Sequence, residues 1–181
     1  MEKKADSYHT FVDSEIVKAL VNSGTNFVCS VPCGLLSGIM KELSKEETKI
    51  RHIPVTREEE GVGVCAGAFL GGGRPALFLQ NSGLGNSINA LMSLTSFYEL
   101  GLFLLIGYRG RTTEEKVMAQ IPMGRITQRI LTTVGAEFEV VETEKDIRRI
   151  EVLSRLSYEE SKITAALLPP VLWGVNRVQK R

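Results

Sequence analysis

Six short apolar runs that alternate with segments of helical spacing constrain the fold of this chain more than any other feature. The runs are rich in Val, Ile, Leu and Phe, and are short enough to be buried strands. They cover residues 26–31, 49–55, 76–80, 102–107, 137–141 and 163–168. Strands that alternate with helices form parallel sheets, and helices cover both faces of such sheets. The sequence therefore predicts an α/β fold in which helices flank a six-stranded parallel sheet on both faces.

The segments between these runs predict the helices and the extent of the domain. The helices are expected at residues 13–23, 35–43, 57–70, 87–97, 124–134 and 144–160. Residues 1–7 are polar and expected to be frayed, residues 112–123 are expected to be irregular, and the last basic residues are expected to form a tail. A chain of 181 residues that is 43% hydrophobic and 24% charged suits one globular domain, 1–181, with a core at about 11–168.

Composition excludes several classes of function. A net charge of +1 argues against a dedicated nucleic-acid binder. No apolar stretch reaches about 18 residues and no signal peptide is recognisable, so we expect a cytoplasmic protein that does not enter a membrane. Three cysteines and two histidines lack the spacing of metal ligands. We therefore expect no protein-ligated metal, no Ser-His-Asp hydrolase and no Cys-His hydrolase.

Three consecutive acids open the helix predicted after residue 56. Thr56, followed three residues later by Glu59, has the pattern of a capping box. Acids in a first turn also favour the positive end of the helix and need no further role. Alternatively, one acid points into the protein, since Glu58 shares a helix face with apolar residues four, seven and eleven positions later. Helical spacing alone does not choose among Glu58, Glu59 and Glu60.

Residues with unusual chemistry follow four of the predicted strands, and the carboxyl ends of parallel strands form the ligand-binding edge of a sheet. These segments are 32–34, 56–58, 81–86 and 108–111. The third, Asn-Ser-Gly-Leu-Gly-Asn, predicts either a loop whose N–H groups approach an anion or flat ligand, or only a tight turn. Arg109 and Arg111 either bind an anionic substrate or are solvated loop charges.

Several of these segments in combination resemble a known family. They are Arg57–Gly61, Cys65–Leu70, Ala76–Gln80 and Asn81–Asn86, with further similarity at Val31–Pro32, Leu35–Leu36, Gly107–Gly110 and Met123–Thr127. Together they resemble the pyrimidine-binding (Pyr) domain of thiamine-diphosphate enzymes, in the branch that contains sulfopyruvate decarboxylase and phosphonopyruvate decarboxylase. The resemblance extends from about Phe11 to Leu168 and implies a flavodoxin-like Pyr domain.

The resemblance implies a catalytic role for one acid and contacts for several other residues. In this family a glutamate lies nine residues before the glycine of an Ala-Gly-aromatic segment. Counting back from Gly67 gives Glu58, although the aromatic residue here follows one place later than is usual. The carboxyl group of this glutamate bonds N1′ of the aminopyrimidine and so activates thiamine diphosphate. The implied cofactor contacts are Glu58, Pro32, Asn81, Ser82 and Gly83, and the implied substrate contacts are Arg57, Arg109 and Arg111.

The resemblance also implies a partner chain. Family members carry a diphosphate-binding (PP) domain, in which a Gly-Asp-Gly motif and a downstream Asn hold Mg²⁺ and the diphosphate. This chain contains no Gly-Asp-Gly motif and has no room for that domain. We therefore expect a split enzyme, a hetero-oligomer in which a PP-domain beta subunit holds the Mg²⁺ and without which this chain is inactive.

The expected substrate is a small anionic 2-oxo acid. The split architecture favours 3-sulfopyruvate, as does Cys33-Gly34 where phosphonopyruvate enzymes tend to have an acid and a serine. Its decarboxylation to sulfoacetaldehyde belongs to coenzyme M biosynthesis. Three alternatives remain open: phosphonopyruvate or another 2-oxo acid as substrate, a non-catalytic Pyr-like assembly subunit, and an unrelated nucleotide-binding flavodoxin-like module.

Overall fold

The computed structural model describes residues 2–111 and 115–174, with side chains from Ser7 onward. Within these residues the chain forms six α-helices and six β-strands. In chain order they are α1 (Glu2–Ser23), β1 (Phe27–Ser30), α2 (Ser37–Leu43), β2 (Arg51–Pro54), α3 (Glu58–Leu70), β3 (Pro75–Gln80), α4 (Asn81–Ala90), β4 (Leu102–Gly107), α5 (Ile121–Thr133), β5 (Glu137–Val140), α6 (Arg148–Glu159) and β6 (Ile163–Leu168). A π-helical segment, Leu91–Ser96, continues α4, and 3-10 turns at Gly34–Leu36 and Met118–Gln120 precede α2 and α5.

The strands form one sheet in the order β2-β1-β3-β4-β6-β5, and every neighbouring pair is parallel. This confirms the predicted six-stranded parallel sheet. The chain moves from β1 outward to β2 and then returns to place β3 on the other side of β1. Ligands of open α/β sheets bind outside the carboxyl ends of the strands at such a reversal. The topology therefore points to the crevice beside the ends of β1 and β3.

Helices cover both faces of the sheet and divide the core into two apolar layers. One layer lies under α1, α2 and α6, and the other under α3, α4 and α5. The central strands β4 and β6 are buried along their whole length, which explains their continuous apolar sequences. Helix α3 approaches β3 so closely that a Cβ on Gly61 would lie 2.5 Å from Cδ1 of Leu77. The small residues of α3 thus bring its amino-terminal acids close to the sheet.

Three helices begin earlier than the sequence predicted, among them α5, which starts at Ile121 within the stretch 112–123 that was expected to be irregular. Helix α1 starts at Glu2 and not at residue 13. Residues 2–7, which were expected to be frayed, are therefore part of this helix. Glu, Lys and Ala at positions 2–5 have high helix propensity, which favours this earlier start. Helix α4 starts at Asn81 directly after β3, so the expected loop at 81–86 is the first part of a helix. Tertiary contacts of that segment, described below, override its poor helix propensity.

The carboxyl-terminal part of the described chain adds to the core beyond residue 168. Leu172 and Trp173 are buried in a 3-10 turn after β6, and the indole Nε1 of Trp173 donates a hydrogen bond to Oδ1 of Asp13 at 2.8 Å. The division of the chain into one domain stays a prediction. Residues 112–114 and the expected basic tail at 175–181 lie outside the described residues.

The two edge strands, β2 and β5, are short and carry charge. Each has four residues, and Arg51 on β2 and Glu137 and Glu139 on β5 are exposed. Glu137 is paired with Lys162 at 2.9 Å, and Glu139 is paired with Arg149 at 2.8 Å. Both edges of the sheet are therefore polar.

Candidate active site

Glu58 lies at the carboxyl-terminal edge of the sheet, at the start of α3, and its side chain reaches the first turns of α4. Nδ2 of Asn86 donates a hydrogen bond to Oε2 of Glu58 at 3.1 Å. A Cβ placed on Gly83 would lie 2.0 Å from Oε1 of Glu58, so the carboxyl group rests against the glycine backbone. The structure thus brings together Glu58 and Gly83, which the sequence singled out, and adds Asn86, which it did not.

The other two acids of α3 have different surroundings. Arg57 is the N-cap residue and makes no side-chain capping bond, so the predicted capping box of Thr56 and Glu59 is wrong. Thr56 lies one residue too early for that role, and its hydroxyl instead donates to Oε2 of Glu60 at 2.6 Å. This hydrogen bond lowers the pKa of Glu60. Arg57 is 69% exposed and lies 3.9 Å from both Glu59 and Glu60. Of the three acids, Glu58 is therefore the one that α4 contacts.

Asn81 joins the ends of two strands inside the protein. It is fully buried, its Oδ1 accepts from the backbone N–H of Arg109 at 3.1 Å, and its Nδ2 donates to the Arg109 carbonyl at 3.0 Å and to Oγ1 of Thr127 at 2.9 Å. These bonds hold the start of α4 against the end of β4 and against α5. They also explain why residue 81 is helical. The structure therefore gives Asn81 a structural role within the chain, while its predicted cofactor contact stays a prediction.

Ser82 and Pro32 lie at the surface of the same edge. Ser82 is exposed, and its Oγ accepts a hydrogen bond from Nε2 of Gln80 at 2.7 Å. Nε2 of Gln80 also donates to Oε1 of Gln120 at 2.9 Å, and Oε1 of Gln80 lies 3.9 Å from Sγ of Cys33. Pro32 is exposed beside the buried Cys33. Side chains from the ends of β1 and β3 and from the segment before α5 therefore meet here.

Arg109 is paired within the chain. Its side chain is 13% exposed and forms an ion pair with Glu115, with Nε donating to Oε2 at 3.3 Å. Burial alone would raise the pKa of Glu115, but hydrogen bonds from Arg109 and from the backbone N–H groups of Val117 and Gly110 outweigh it. The pKa of Glu115 consequently lies below the ordinary value of 4.5.

Arg111 is also paired, but at the surface. It forms an ion pair with Glu142, and its guanidinium carbon lies 5.5 Å from the centre of the Tyr108 ring. The side chains of Arg111 and Glu142 are 33% and 47% exposed. Neither Arg109 nor Arg111 therefore presents an unpaired charge at this edge, and Arg57 is the more accessible of the predicted substrate-binding arginines.

Glu115→Gln is expected to lower the free energy of unfolding of the isolated chain by about 2 kcal/mol, because it leaves the guanidinium of Arg109 without its charged partner. Since the folded-state pKa of Glu115 is lowered, the carboxylate contribution is complete above the unfolded-state pKa of about 4.5 and is lost as pH falls through the folded-state pKa. Urea unfolding at neutral and acidic pH measures both effects. Glu142→Gln, at the exposed Arg111 pair, is the matched control and is expected to change stability little. Equal effects of the two variants at neutral pH would contradict the structural role of Glu115.

Two glycines hold the segment after β4 against α5. A Cβ on Gly124 would lie 2.0 Å from the carbonyl oxygen of Gly110, and a Cβ on Gly110 would lie 1.9 Å from that of Gln120. Gly110 also has φ +75°, a left-handed conformation that glycine adopts without strain. The hydroxyl of Tyr108 donates to the Gly124 carbonyl at 3.0 Å. These backbone contacts position the neighbouring Arg109 and, through it, Asn81.

Sequence reasoning missed Asn86, Gln80, Glu115 and Gln120. Asn86 belongs to the segment expected to be a loop, and only its placement one turn after Gly83 on a helix directs it toward Glu58. Gln80 and Gln120 pair across 40 positions, which no local spacing indicates. Glu115 pairs with Arg109 from within the stretch that was expected to be irregular, where no helical or strand spacing indicates the contact.

Neither a metal-binding cluster nor a membrane-spanning helix occurs in the described part of the chain. Among residues 2–111 and 115–174 no cluster of three or more His, Cys, Asp or Glu side chains could hold a metal ion. In the same part of the chain, none of the helices has the length and apolar character needed to cross a membrane. The cytoplasmic location stays a prediction.

Comparison with known proteins identifies the family. Residues 12–123 match the family model described as "Thiamine pyrophosphate enzyme, N-terminal TPP binding domain". The chain is also 45% identical over 159 residues to the sulfopyruvate decarboxylase subunit alpha of Methanococcus maripaludis, and the match covers 87% of this chain and 94% of that protein. The chain belongs to the thiamine pyrophosphate enzyme family. The resemblance inferred from the sequence motifs is confirmed.

Two longer proteins contain a part that is similar to this chain. A sulfopyruvate decarboxylase of Methanosarcina acetivorans is 33% identical over 165 residues, which are 91% of this chain and 41% of that protein. A solved 2-oxoglutarate:ferredoxin oxidoreductase from Magnetococcus marinus superimposes with a TM-score of 0.69 at 14% identity, over 87% of this chain and 28% of that chain. The second likeness supports the fold alone.

Proposed function

We propose that this chain is the Pyr-domain subunit of a thiamine-diphosphate-dependent decarboxylase that converts 3-sulfopyruvate to sulfoacetaldehyde and carbon dioxide. The observation that carries the proposal is the placement of Glu58 at the carboxyl edge of the sheet, in contact with α4. The family match and the 45% identity to a sulfopyruvate decarboxylase subunit alpha support the cofactor and the reaction. Such an activity would place the protein in coenzyme M biosynthesis.

The residues at this edge fit the aminopyrimidine part of the cofactor. Glu58 is partly buried, and its carboxyl group is held on one side by Asn86 and lies against the backbone of Gly83 on the other. We assign N1′ contact to Glu58 and neighbouring contacts to Pro32, Ser82 and Gly83. Asn81 is buried and holds the start of α4, which carries Ser82 and Gly83, against the end of β4 and against α5. When bound, thiamine diphosphate supplies the electron sink that accepts the electron pair as carbon dioxide leaves the 2-oxo acid.

Glu58 has the proton-handling role in this proposal. A carboxyl group in a partly buried setting can hold a proton at one oxygen and return it, which is what general acid–base catalysis requires. The start of α3 adds a partial positive charge near this group. Glu59 and Glu60 are engaged by Arg57 and Thr56 on the outer side of the helix and are not assigned a role.

The proposal includes a partner that supplies the PP domain and Mg²⁺. The relative from Methanococcus maripaludis is named as a subunit and is covered over 94% of its length. In the relative from Methanosarcina acetivorans the matching part is 41% of one longer chain. A second chain that corresponds to the remainder of the longer relative is the simplest source of a PP domain. We assign the substrate anion to Arg57, and more weakly to Arg109 and Arg111, since both of these are already paired.

Reconstitution tests the proposal. The chain would be assayed alone and with its beta subunit, thiamine diphosphate and Mg²⁺, by release of carbon dioxide from 3-sulfopyruvate. We expect turnover only with both chains and no tight cofactor binding by the isolated chain. Turnover by the chain alone would contradict the split site. Release from phosphonopyruvate but not from sulfopyruvate would overturn the substrate, and a stable complex that acts on neither would favour a non-catalytic subunit.

A further inference from the structure

We infer that Asn86 and Gly83 of α4 are positioning residues for Glu58, with Asn86 holding one carboxyl oxygen and Gly83 leaving space for the other. The inference rests on the proposed role of Glu58. It concerns how this chain sets the orientation of its own acid before any cofactor is bound.

The two residues lie on the same side of α4. They are three positions apart, which places them one helical turn from each other and on a common face. Asn86 Nδ2 is 3.1 Å from Oε2 of Glu58, and a Cβ at Gly83 would be 2.0 Å from Oε1 and 2.3 Å from the carboxyl carbon. Any side chain at position 83 would therefore displace the carboxyl group or the helix.

Local sequence preference supports a specific purpose for these residues. Glycine and asparagine are poor helix formers, yet Gly83 and Asn86 both lie in the first two turns of α4. A segment that breaks local preference without a packing gain is typical of a functional site. Here the contact with Glu58 accounts for the glycine at position 83 and for the asparagine at position 86.

The chemistry of the donor also fits a proton-handling acid. An amide donates one hydrogen bond to the carboxylate without bringing a full positive charge. A lysine or arginine at this position would stabilise the ionised form much more strongly. Asn86 therefore fixes the geometry of Glu58 without itself adding a charge beside the carboxyl group.

The experiment follows hydrogen–deuterium exchange at C2 of the bound thiazolium in the complex with the beta subunit, thiamine diphosphate and Mg²⁺. This exchange reports activation of the cofactor without any substrate. Asn86→Ala and Gly83→Ala are each expected to slow it about 10-fold or more, since misplacement of a catalytic group by about 1 Å can cost 100-fold. Asn89→Ala, an exposed asparagine one turn further along α4, is the matched control and is expected to exchange like the wild type.

Two additional readouts separate positioning from a general structural effect. In a Glu58→Gln background, Asn86→Ala is expected to cause no further slowing, because its effect passes through the carboxyl group. A crystal structure of the cofactor-free Gly83→Ala chain is expected to show the carboxyl group of Glu58 displaced, with α3 and α4 otherwise unchanged.

The outcomes distinguish the inference from the function on which it rests. Exchange in Asn86→Ala that equals the Asn89→Ala control would overturn the role of Asn86. An equally large slowing in the Glu58→Gln background would show that Asn86 acts by another route and would also overturn it. Wild-type exchange in Glu58→Gln alone would instead reject the proposed role of Glu58, whatever the Asn86 variant does.

Discussion

Glu58→Gln is expected to lower kcat of the reconstituted decarboxylase by about 10²–10⁴-fold, the usual range for loss of a general acid–base group. Glutamine keeps the size of the side chain and can still contact Asn86 and Gly83, but it cannot take up or return the proton. The fold depends little on this carboxyl group, since its one hydrogen bond from α4 is near the surface. Carbon dioxide release at saturating cofactor and substrate measures the effect.

Glu59→Gln provides the matched control for this prediction. It makes the same chemical change one residue later, where the acid forms an ion pair with Arg57 at 3.9 Å. We expect kcat within about twofold of wild type for this variant, as for other surface changes away from the reacting groups. If the two variants behaved alike, or if Glu59→Gln were the inactive one, the assignment of the catalytic acid would be wrong.

Gly124→Ala is expected to destabilise the isolated chain by about 3 kcal/mol, at the upper end of the range for overpacking. The added Cβ would lie 2.0 Å from the carbonyl oxygen of Gly110 and 2.1 Å from its carbonyl carbon. Both are backbone atoms of a tightly held segment, so α5 or the end of β4 must move. Urea unfolding of the purified chain measures the loss.

Gly63→Ala is the control for that substitution. Gly63 is an exposed glycine within α3, and apart from its chain neighbours and the nearby backbone of its own helix no atom lies within 4 Å of the position a Cβ would take. Alanine there is expected to leave stability unchanged or to raise it by up to about 1 kcal/mol through helix propensity. Similar unfolding curves for the two alanine variants would mean that the segment after β4 can move away from α5 at little cost.

The sequence predicted the sheet well because its strands carry their own signal. Strands β3, β4 and β6 are apolar along their length and buried, so local composition and tertiary environment agree. Helix boundaries were predicted less well where that agreement fails. Residues 81–86 look like a loop because Asn and Gly disfavour helix, yet the buried contacts of Asn81 with Arg109 and Thr127 hold the segment in α4.

The candidate site could be predicted only in part, for a related reason. The motifs located the acidic first turn of α3 and the Asn81–Asn86 segment. The family resemblance selected Glu58 among the three acids, which helical spacing could not do. The partners of these residues could not be read from spacing, because Asn86 meets Glu58 across 28 positions and Gln80 meets Gln120 across 40. The capping box was predicted wrongly because α3 begins one residue later than that pattern requires, with Arg57 and not Thr56 as its N-cap residue.

The short charged edge strands bear on how this chain can assemble with others. An exposed strand edge invites another chain to extend the sheet, and brevity and charge are the features that discourage this. With Arg51 at one edge and the ion-paired Glu137 and Glu139 at the other, growth of a continuous intermolecular sheet is disfavoured on both sides. Under the proposed split architecture, contact with a second chain would therefore use the helices or the edge where Glu58 lies, and not an extension of the sheet.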